Sequence, residues 1–315
     1  MGRYIARRLL IAIPTVIGVF LAVYFIIRLI PGDPAAIMLG AKATDEQIEM
    51  FRRQQGLDEP LSVQLGIALR NFMTGDLGVS IVSKRPVMAL ILERLPRTVE
   101  LALWGIGLAS VTGVILGVTA AVFRGRWPDY LITGASTLGM SLPSFYIALM
   151  LLTLFAVQLR WIPVIAVEGP GVSRFKTLFA PVLTMVIGNS ALTLRTTRSS
   201  ILEIMRENFI KTARAKGLDE WAVLFRHALK DAAIPIITVI GYNLAGCFGG
   251  AIIIETVFSR PGIGLLLIDA VNARDYAVVQ GTSAFISIAL IAVNLLTDAV
   301  YGLVDPRIRV EAAGG

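Results

Sequence analysis

Charge is scarce in this chain. Asp, Glu, Lys and Arg together make up 16% of its 315 residues and apolar residues 56%, whereas a soluble domain carries about a quarter charged residues. A solvated globule is therefore excluded, and the long apolar runs point to a polytopic membrane protein. Histidine and cysteine each occur once, as His227 and Cys247. A histidine cluster and an intramolecular disulfide are both impossible. Cys247, inside an apolar run, reads as a small buried hydrophobe, and His227 as a surface or docking residue. No G-x4-G-K-[ST] loop is present, so ATP is not bound by that route, and no Ser-His-Asp set can be assembled. The net charge of +7 would suggest nucleic acid in a soluble protein. Here no basic stripe interleaves with aromatics, and the excess fits cytoplasmic loops instead. Ionisable groups are also nearly absent from the middle of the apolar runs, with Asp298 the main exception. That absence argues against a proton-coupled transporter.

What is present is six apolar runs: Leu9–Ile27, Thr98–Phe123, Leu131–Leu159, Leu178–Leu194, Ile234–Ile254 and Gly281–Val304. At about 1.5 Å per helical residue each comes near or exceeds the length a membrane span requires. Arg3, Arg7 and Arg8 precede the first, which has no convincing cleavage site and reads as an uncleaved helix. The run Pro31-Gly32-Asp33-Pro34 stops it. A polar stretch follows, with a helix start at Thr44 and Gln47, a turn at Gly56–Pro60, a second amphipathic helix around Ser62–Met73, a turn at Gly75–Gly78 and a short helix over Lys84–Glu93. This is a small extracytoplasmic insert.

Arg124 and Arg126, the Lys/Arg-rich stretch from Arg195 to Ala233, and Arg307 and Arg309 alternate with loops that carry less basic excess, including the one with Pro163, Gly169, Pro170 and Gly171. The positive-inside rule then gives six transmembrane helices with both termini cytoplasmic. Gly113-x-x-x-Gly117 permits close helix packing. Ser141-Leu142-Pro143-Ser144 interrupts the third run, either as a packed kink or against a polar cavity. Ser141, Ser144, Asn189 and Asn243 are pathway candidates by polarity alone, and Asn294 reads as a helix-to-helix hydrogen-bonding residue.

The segment from Arg195 to Pro235 is polar, basic and flanked by spans. Ile201, Leu202, Met205 and Phe209 share one helical face, and Gly217 ends that helix. Asp219 is placed to cap a second helix, whose stripe is Trp221, Leu224, Phe225, Ala228 and Leu229. The segment is either a solvated loop or a helical hairpin that presents Ala213, Ala215 and Gly217 to a partner. On the outer side, Ser259–Gly264 is a turn and Leu265–Ile268 a short helix at the mouth of a pathway, or an ordinary ordered loop.

These stretches resemble the permease subunits of bacterial ABC importers of the dipeptide, oligopeptide and nickel type, a type I importer family. The likeness spans nearly the whole chain. It rests on Arg3–Leu10, Arg28–Pro34, Gly75–Ser80, Leu95–Leu101, Phe209–Leu218, Glu255–Gly264 and Val304–Arg307. The Lys211–Gly217 stretch is similar to the cytoplasmic motif E-A-A-x-x-x-G. Lys211 stands in place of the Glu and Thr212 in place of the first Ala, while Ala213 and Gly217 match.

By resemblance, then, Phe209, Lys211, Thr212, Ala213, Arg214, Ala215, Lys216, Gly217, Leu218 and Asp219 form a coupling helix, between helices 4 and 5, that sits on an ATPase subunit. Phe258, Arg260 and Pro261 would meet a binding protein or act as an outer gate. The chain would comprise a first helix and insert (1–93), a permease domain (94–305) and a cytoplasmic tail (306–315). Its partners would be a second homologous permease, two ABC ATPases that bind ATP and Mg, an extracytoplasmic substrate-binding protein and the lipid bilayer of the bacterial inner membrane. The chain itself would hold no cofactor and be no enzyme. Substrates in the family include dipeptides, longer peptides, glutathione, nickel chelates, opines and some sugars. The competing readings are an ion-coupled secondary transporter and a membrane scaffold.

Overall fold

The apolar runs become helices, but not always the helices that their boundaries suggest. The computed structural model describes residues 2–29, 35–36, 43–54, 56, 58–166 and 173–304. Pro31–Pro34, Leu57, Gly169–Gly171 and the tail with Arg307 and Arg309 lie outside these, and the side chain of Asp298 is likewise not described. Among the described residues no strand forms; one isolated bridge pairs Val79 with Pro86. The helices are α1 (Gly2–Leu29), α2 (Asp45–Gln54), α3 (Leu61–Met73), α4 (Val87–Val122), α5 (Trp127–Ser141), α6 (Ser144–Leu152), α7 (Arg174–Ile204), α8 (Asn208–Ala215), α9 (Glu220–Ala222), α10 (Leu229–Val257), α11 (Ile263–Asn272) and α12 (Tyr276–Val304). Wide π turns over Thr153–Gln158 and Val223–Ala228 continue α6 and join α9 to α10.

α1, α4, α7 and α12 are each long and apolar enough to cross a membrane. Two bent pairs, α5 with α6 and its π turn, and the two parts of Glu220–Val257, raise the number to six if each is one span. One expectation changes here. The short helix over Lys84–Glu93 does not stand alone, because α4 starts at Val87 and runs without a break through Pro96. The third apolar run is interrupted at its proline, as the sequence predicts. α5 and α6 meet at Leu142-Pro143 at an angle of 102°. Leu142 is extended (ψ 132°), the region to which a following proline confines its neighbour.

By packing, the chain divides into two units. One holds Thr98–Arg260 and the end of α12; the other holds Ala6–Arg97 and Pro261–Ile291. In the first, α7 packs against α5, α6 and α10. Leu101, Ile106, Met185, Cys247, Ile254 and Phe258 belong to one buried cluster, and Val118, Ala121, Ile201, Leu224, Ala228 and Ile236 to another. Gly113 and Gly117 let α4 lie directly on α7. A Cβ on Gly113 would stand 2.8 Å from the Ser190 carbonyl oxygen, and one on Gly117 2.7 Å from that of Leu194. The small-residue spacing therefore marks a real close approach.

At one end of this unit charges are paired. Thr98 Oγ1 donates to Glu255 Oε1 at 2.6 Å, and Glu100 receives Arg174 at 2.7 Å and Arg260 at 2.7 Å. Glu255 is wholly buried in α10. Its hydrogen bonding is what makes that burial tolerable.

In the second unit the insert folds onto α1. Phe20 stacks on Phe72 with ring centroids 4.6 Å apart. Arg28 lies 3.5 Å over the Tyr24 ring and donates to Gln64 Oε1 at 2.9 Å. The Thr44/Gln47 start is a reciprocal cap: the Thr44 N–H donates to Gln47 Oε1 (3.1 Å), and the Gln47 N–H to Thr44 Oγ1 (3.3 Å). The Ser80 hydroxyl donates to Asp275 Oδ2 at 2.6 Å, pinning the 80–85 loop to the start of α12. The expected short helix forms as α11, with Ser259 turning ahead of it at φ 50°.

Candidate functional site

The polar segment after α7 is an ordered hairpin. α7 ends at Ile204, the chain turns through Met205-Arg206-Glu207, and α8 begins at Asn208. Gly217 follows the last turn at φ 81°. Its N–H donates to the Arg214 carbonyl (2.9 Å), and the Leu218 N–H to that of Ala213 (3.3 Å). This double bond pattern around a left-handed glycine is a Schellman ending. Asp219 Oδ2 accepts from the Trp221 N–H at 3.1 Å and so starts the next helix. Arg214 grips Glu220 through two bonds of 2.7 and 3.0 Å, closing the turn; the Glu220 carboxylate pushes the Arg214 pKa above its usual value. Both hairpin ends thus follow from local sequence chemistry.

The faces differ from the expected stripes. Ile201 belongs to the end of α7 rather than to α8, and Phe209 is 43% exposed. The hairpin interior is made instead by Ile210, Ala213 and Val223, with Met205 beside them. Ala213 is therefore a packing residue inside the hairpin and is not offered to a partner. Ala215 and Gly217 remain exposed, as do Lys211, Thr212, Arg214, Lys216, Leu218 and Asp219. In the second stripe Leu224 and Ala228 are buried, but Trp221 and Phe225 are 62% and 51% exposed. They stack on each other with centroids 5.8 Å apart and planes 10° from parallel. A π turn over Val223–Ala228 breaks the 3.6-residue spacing along this stretch. Trp221 and Phe225 extend the exposed face of the hairpin beyond the residues that the motif identifies.

A cavity of about 300 Å³ lies between α5, α6, α7 and α10, beside the 102° bend. Ser144, Thr184 and Asn189 supply its polar side chains, Gly188, Gly246 and Gly250 leave it room, and among the described residues no charged side chain lines it. Asn189 donates to the Met185 carbonyl of its own helix at 2.9 Å. The four pathway candidates separate. Ser144 and Asn189 line this cavity. Asn243 is buried and donates to the Asn189 carbonyl (3.1 Å) and Thr193 Oγ1 (3.2 Å), so it bonds α10 to α7. Ser141 is exposed and donates to the Thr137 carbonyl of its own helix.

The outer residues lie deeper than a contact surface. Phe258 and Arg260 are each 1% exposed, and the Arg260 charge is taken up by Glu100. Neither presents a surface for direct contact with a binding protein. Pro261 is only partly exposed. A pair absent from the sequence reading joins α5 to α7: Arg198 Nε and Nη2 donate to Asp129 Oδ1 (2.7 Å) and Oδ2 (2.8 Å).

A family model described as the inner membrane component of binding-protein-dependent transport systems matches residues 113–310, and one for the N-terminal part of such membrane components matches residues 1–102. The chain belongs to this family of transport permeases. It is 38% identical over 311 residues to the glutathione transport system permease protein GsiC of Escherichia coli O6:H1, covering 99% of this chain and 100% of the relative. It is 40% identical over 314 residues to a peptide ABC transporter permease protein, y4tP, of Sinorhizobium fredii, covering 98% and 100%.

In fold, the permease matches a chain of the MetNI methionine ABC transporter in an inward-facing conformation, with a TM-score of 0.58 at 15% identity over 69% of this chain and 97% of the other. The chain is thus an ABC importer permease and a multi-pass membrane protein, and the ion-coupled transporter reading is set aside.

Proposed function

We propose that this permease forms half of the pathway of an ATP-driven importer for peptides or similar small solutes in a bacterial inner membrane. Residues 1–93 would form the first span and outer insert, 94–305 the permease domain and 306–315 a cytoplasmic tail. Six spans with both termini in the cytoplasm would put the hairpin at Asn208–Ala228 inside, where two ABC ATPases holding ATP and Mg would dock. A second permease would complete the pathway, and an extracytoplasmic binding protein would deliver the solute. The peptide class rests on the names of the relatives.

One observation carries the reading. The hairpin is locked by its own interior and by its Arg214–Glu220 pair, and it grows from two membrane-length helices while keeping an aromatic and basic face free. A rigid lever of this kind passes motion between an ATPase and the spans; a loose loop does not. ATP binding need only favour one arrangement over the other to drive the exchange.

The test is isolation of the chain from its own membrane in mild detergent, followed by mass identification of what accompanies it. A homologous permease and subunits with phosphate-binding loops are expected. A chain that runs alone in several detergents would overturn the proposal.

A further inference from the structure

We infer that the Asp129–Arg198 ion pair is the positioning element that carries hairpin movement into the bent α5–α6 segment walling the cavity. The inference rests on the proposed importer function. Arg198 lies in the last two turns of α7, directly before the hairpin, and Ile201 one turn later is packed with Leu224 and Ala228 of the π turn and with Val118 and Ala121 of α4. The hairpin base, the end of α7 and the end of α4 therefore make one apolar block. Asp129 lies on the opposite side of the pair, in the first turn of α5. It accepts both Arg198 bonds, and its Oδ2 also accepts from the Gly125 N–H at 2.9 Å. One carboxylate thus holds the start of α5 and the α4–α5 turn to α7. From there α5 runs to Gly139, Met140 and Leu142 on the cavity wall, where the bend to α6 begins.

The chemistry suits a positioning role. The Asp129 side chain is 3% exposed and that of Arg198 29%. A buried ion pair adds little stability over an apolar contact, but its forked geometry fixes register and orientation. An apolar contact at the same place could slide as the hairpin tilts; this pair makes α5 follow α7.

Cys247 provides the readout, as the chain's one thiol and part of the cavity lining. The experiment uses the whole transporter with its partners, reconstituted in vesicles, and compares wild type with Asp129→Asn, which keeps the shape and the acceptor for Gly125. Three quantities are measured: solute uptake, ATP hydrolysis, and the ATP-dependent change in N-ethylmaleimide labelling of Cys247 by mass spectrometry of this chain.

Asp129→Asn is expected to keep assembly and hydrolysis. Uptake per ATP should fall by about tenfold, the scale of one charge-assisted hydrogen bond, and the ATP-dependent change at Cys247 should vanish. Arg198→Lys, which retains the charge but loses the fork, should fall between the two. Unchanged uptake per ATP and unchanged Cys247 labelling in an assembled Asp129→Asn complex would overturn the inference. So would failure of both variants to assemble, which would make the pair a folding element only. A wild-type complex without ATP-dependent uptake would instead overturn the importer proposal itself.

Discussion

Gly217 shows how much one residue decides at the hairpin. Its φ of 81° lies in the left-handed region, where a side chain costs about 1–2 kcal/mol, least for Asn. A Cβ there would meet nothing within 4 Å, so the constraint comes from the backbone and not from crowding. Gly217→Asn should therefore keep the Schellman ending, and Gly217→Val should lose it. The check is ATPase retention on the purified complex: near wild type for Asn, and clearly reduced for Val with the spans still inserted. Equal retention by both variants would mean that the hairpin ending does not matter for docking. This position was legible in the sequence because a glycine after a helical stripe has a local cause. Asp219 was legible for the same reason. Arg260 was not. In sequence it stands in a polar turn beside a proline and reads as surface; its partner Glu100 is 160 positions away, and no local pattern signals that pairing. Asp129 and Arg198 escaped likewise, as single charges at the margins of two apolar runs.

At the scale of elements, periodicity located the helices and misjudged some of their faces. Length and apolar content were enough to find α1, α4, α7 and α12. The stripe Trp221, Leu224, Phe225, Ala228 presupposes 3.6 residues per turn; a π turn over Val223–Ala228 departs from that repeat, and Trp221 and Phe225 lie outside the core. Nothing in the composition of that segment announces a wider turn. The consequence is testable. An exposed stacked aromatic pair on a rigid element is the type of anchor that dominates protein interfaces. Trp221→Ala should weaken ATPase binding by about tenfold or more, read as the ATPase concentration needed to restore hydrolysis to permease in vesicles. Thermal unfolding of the permease alone should barely move, because Trp221 contributes little to its interior. A fall in permease stability with unchanged ATPase affinity would assign Trp221 to the fold instead. The bend at Leu142-Pro143 was half-legible: the proline marked the place, but nothing in the local sequence signals the 102° angle between two helices that both pack on α7.

For the whole molecule the property that function turns on is sidedness, and it hangs on that same bend. Between the insert and the hairpin the chain passes through α4, the α5–α6 pair and α7. If the bent pair crosses the membrane, three crossings separate insert from hairpin and they face opposite sides. If the pair enters and leaves by one face, two crossings separate them and they share a side. The charge pattern favours opposite sides, since Lys211, Arg214 and Lys216 crowd the hairpin whereas the insert mixes acidic with basic residues.

The decision can be read with single cysteines in a Cys247→Ala background. Ser62, in the first turn of α3, and Lys211 on α8 are both exposed. Ser62→Cys should react with a membrane-impermeant maleimide on intact spheroplasts, and Lys211→Cys only after the membrane is opened. Labelling of both from outside would make α5–α6 a re-entrant segment and remove the hairpin from the side where ATP is found. Since an ATPase can dock only in the cytoplasm, that one result would overturn the six-span topology and the coupling assignment together.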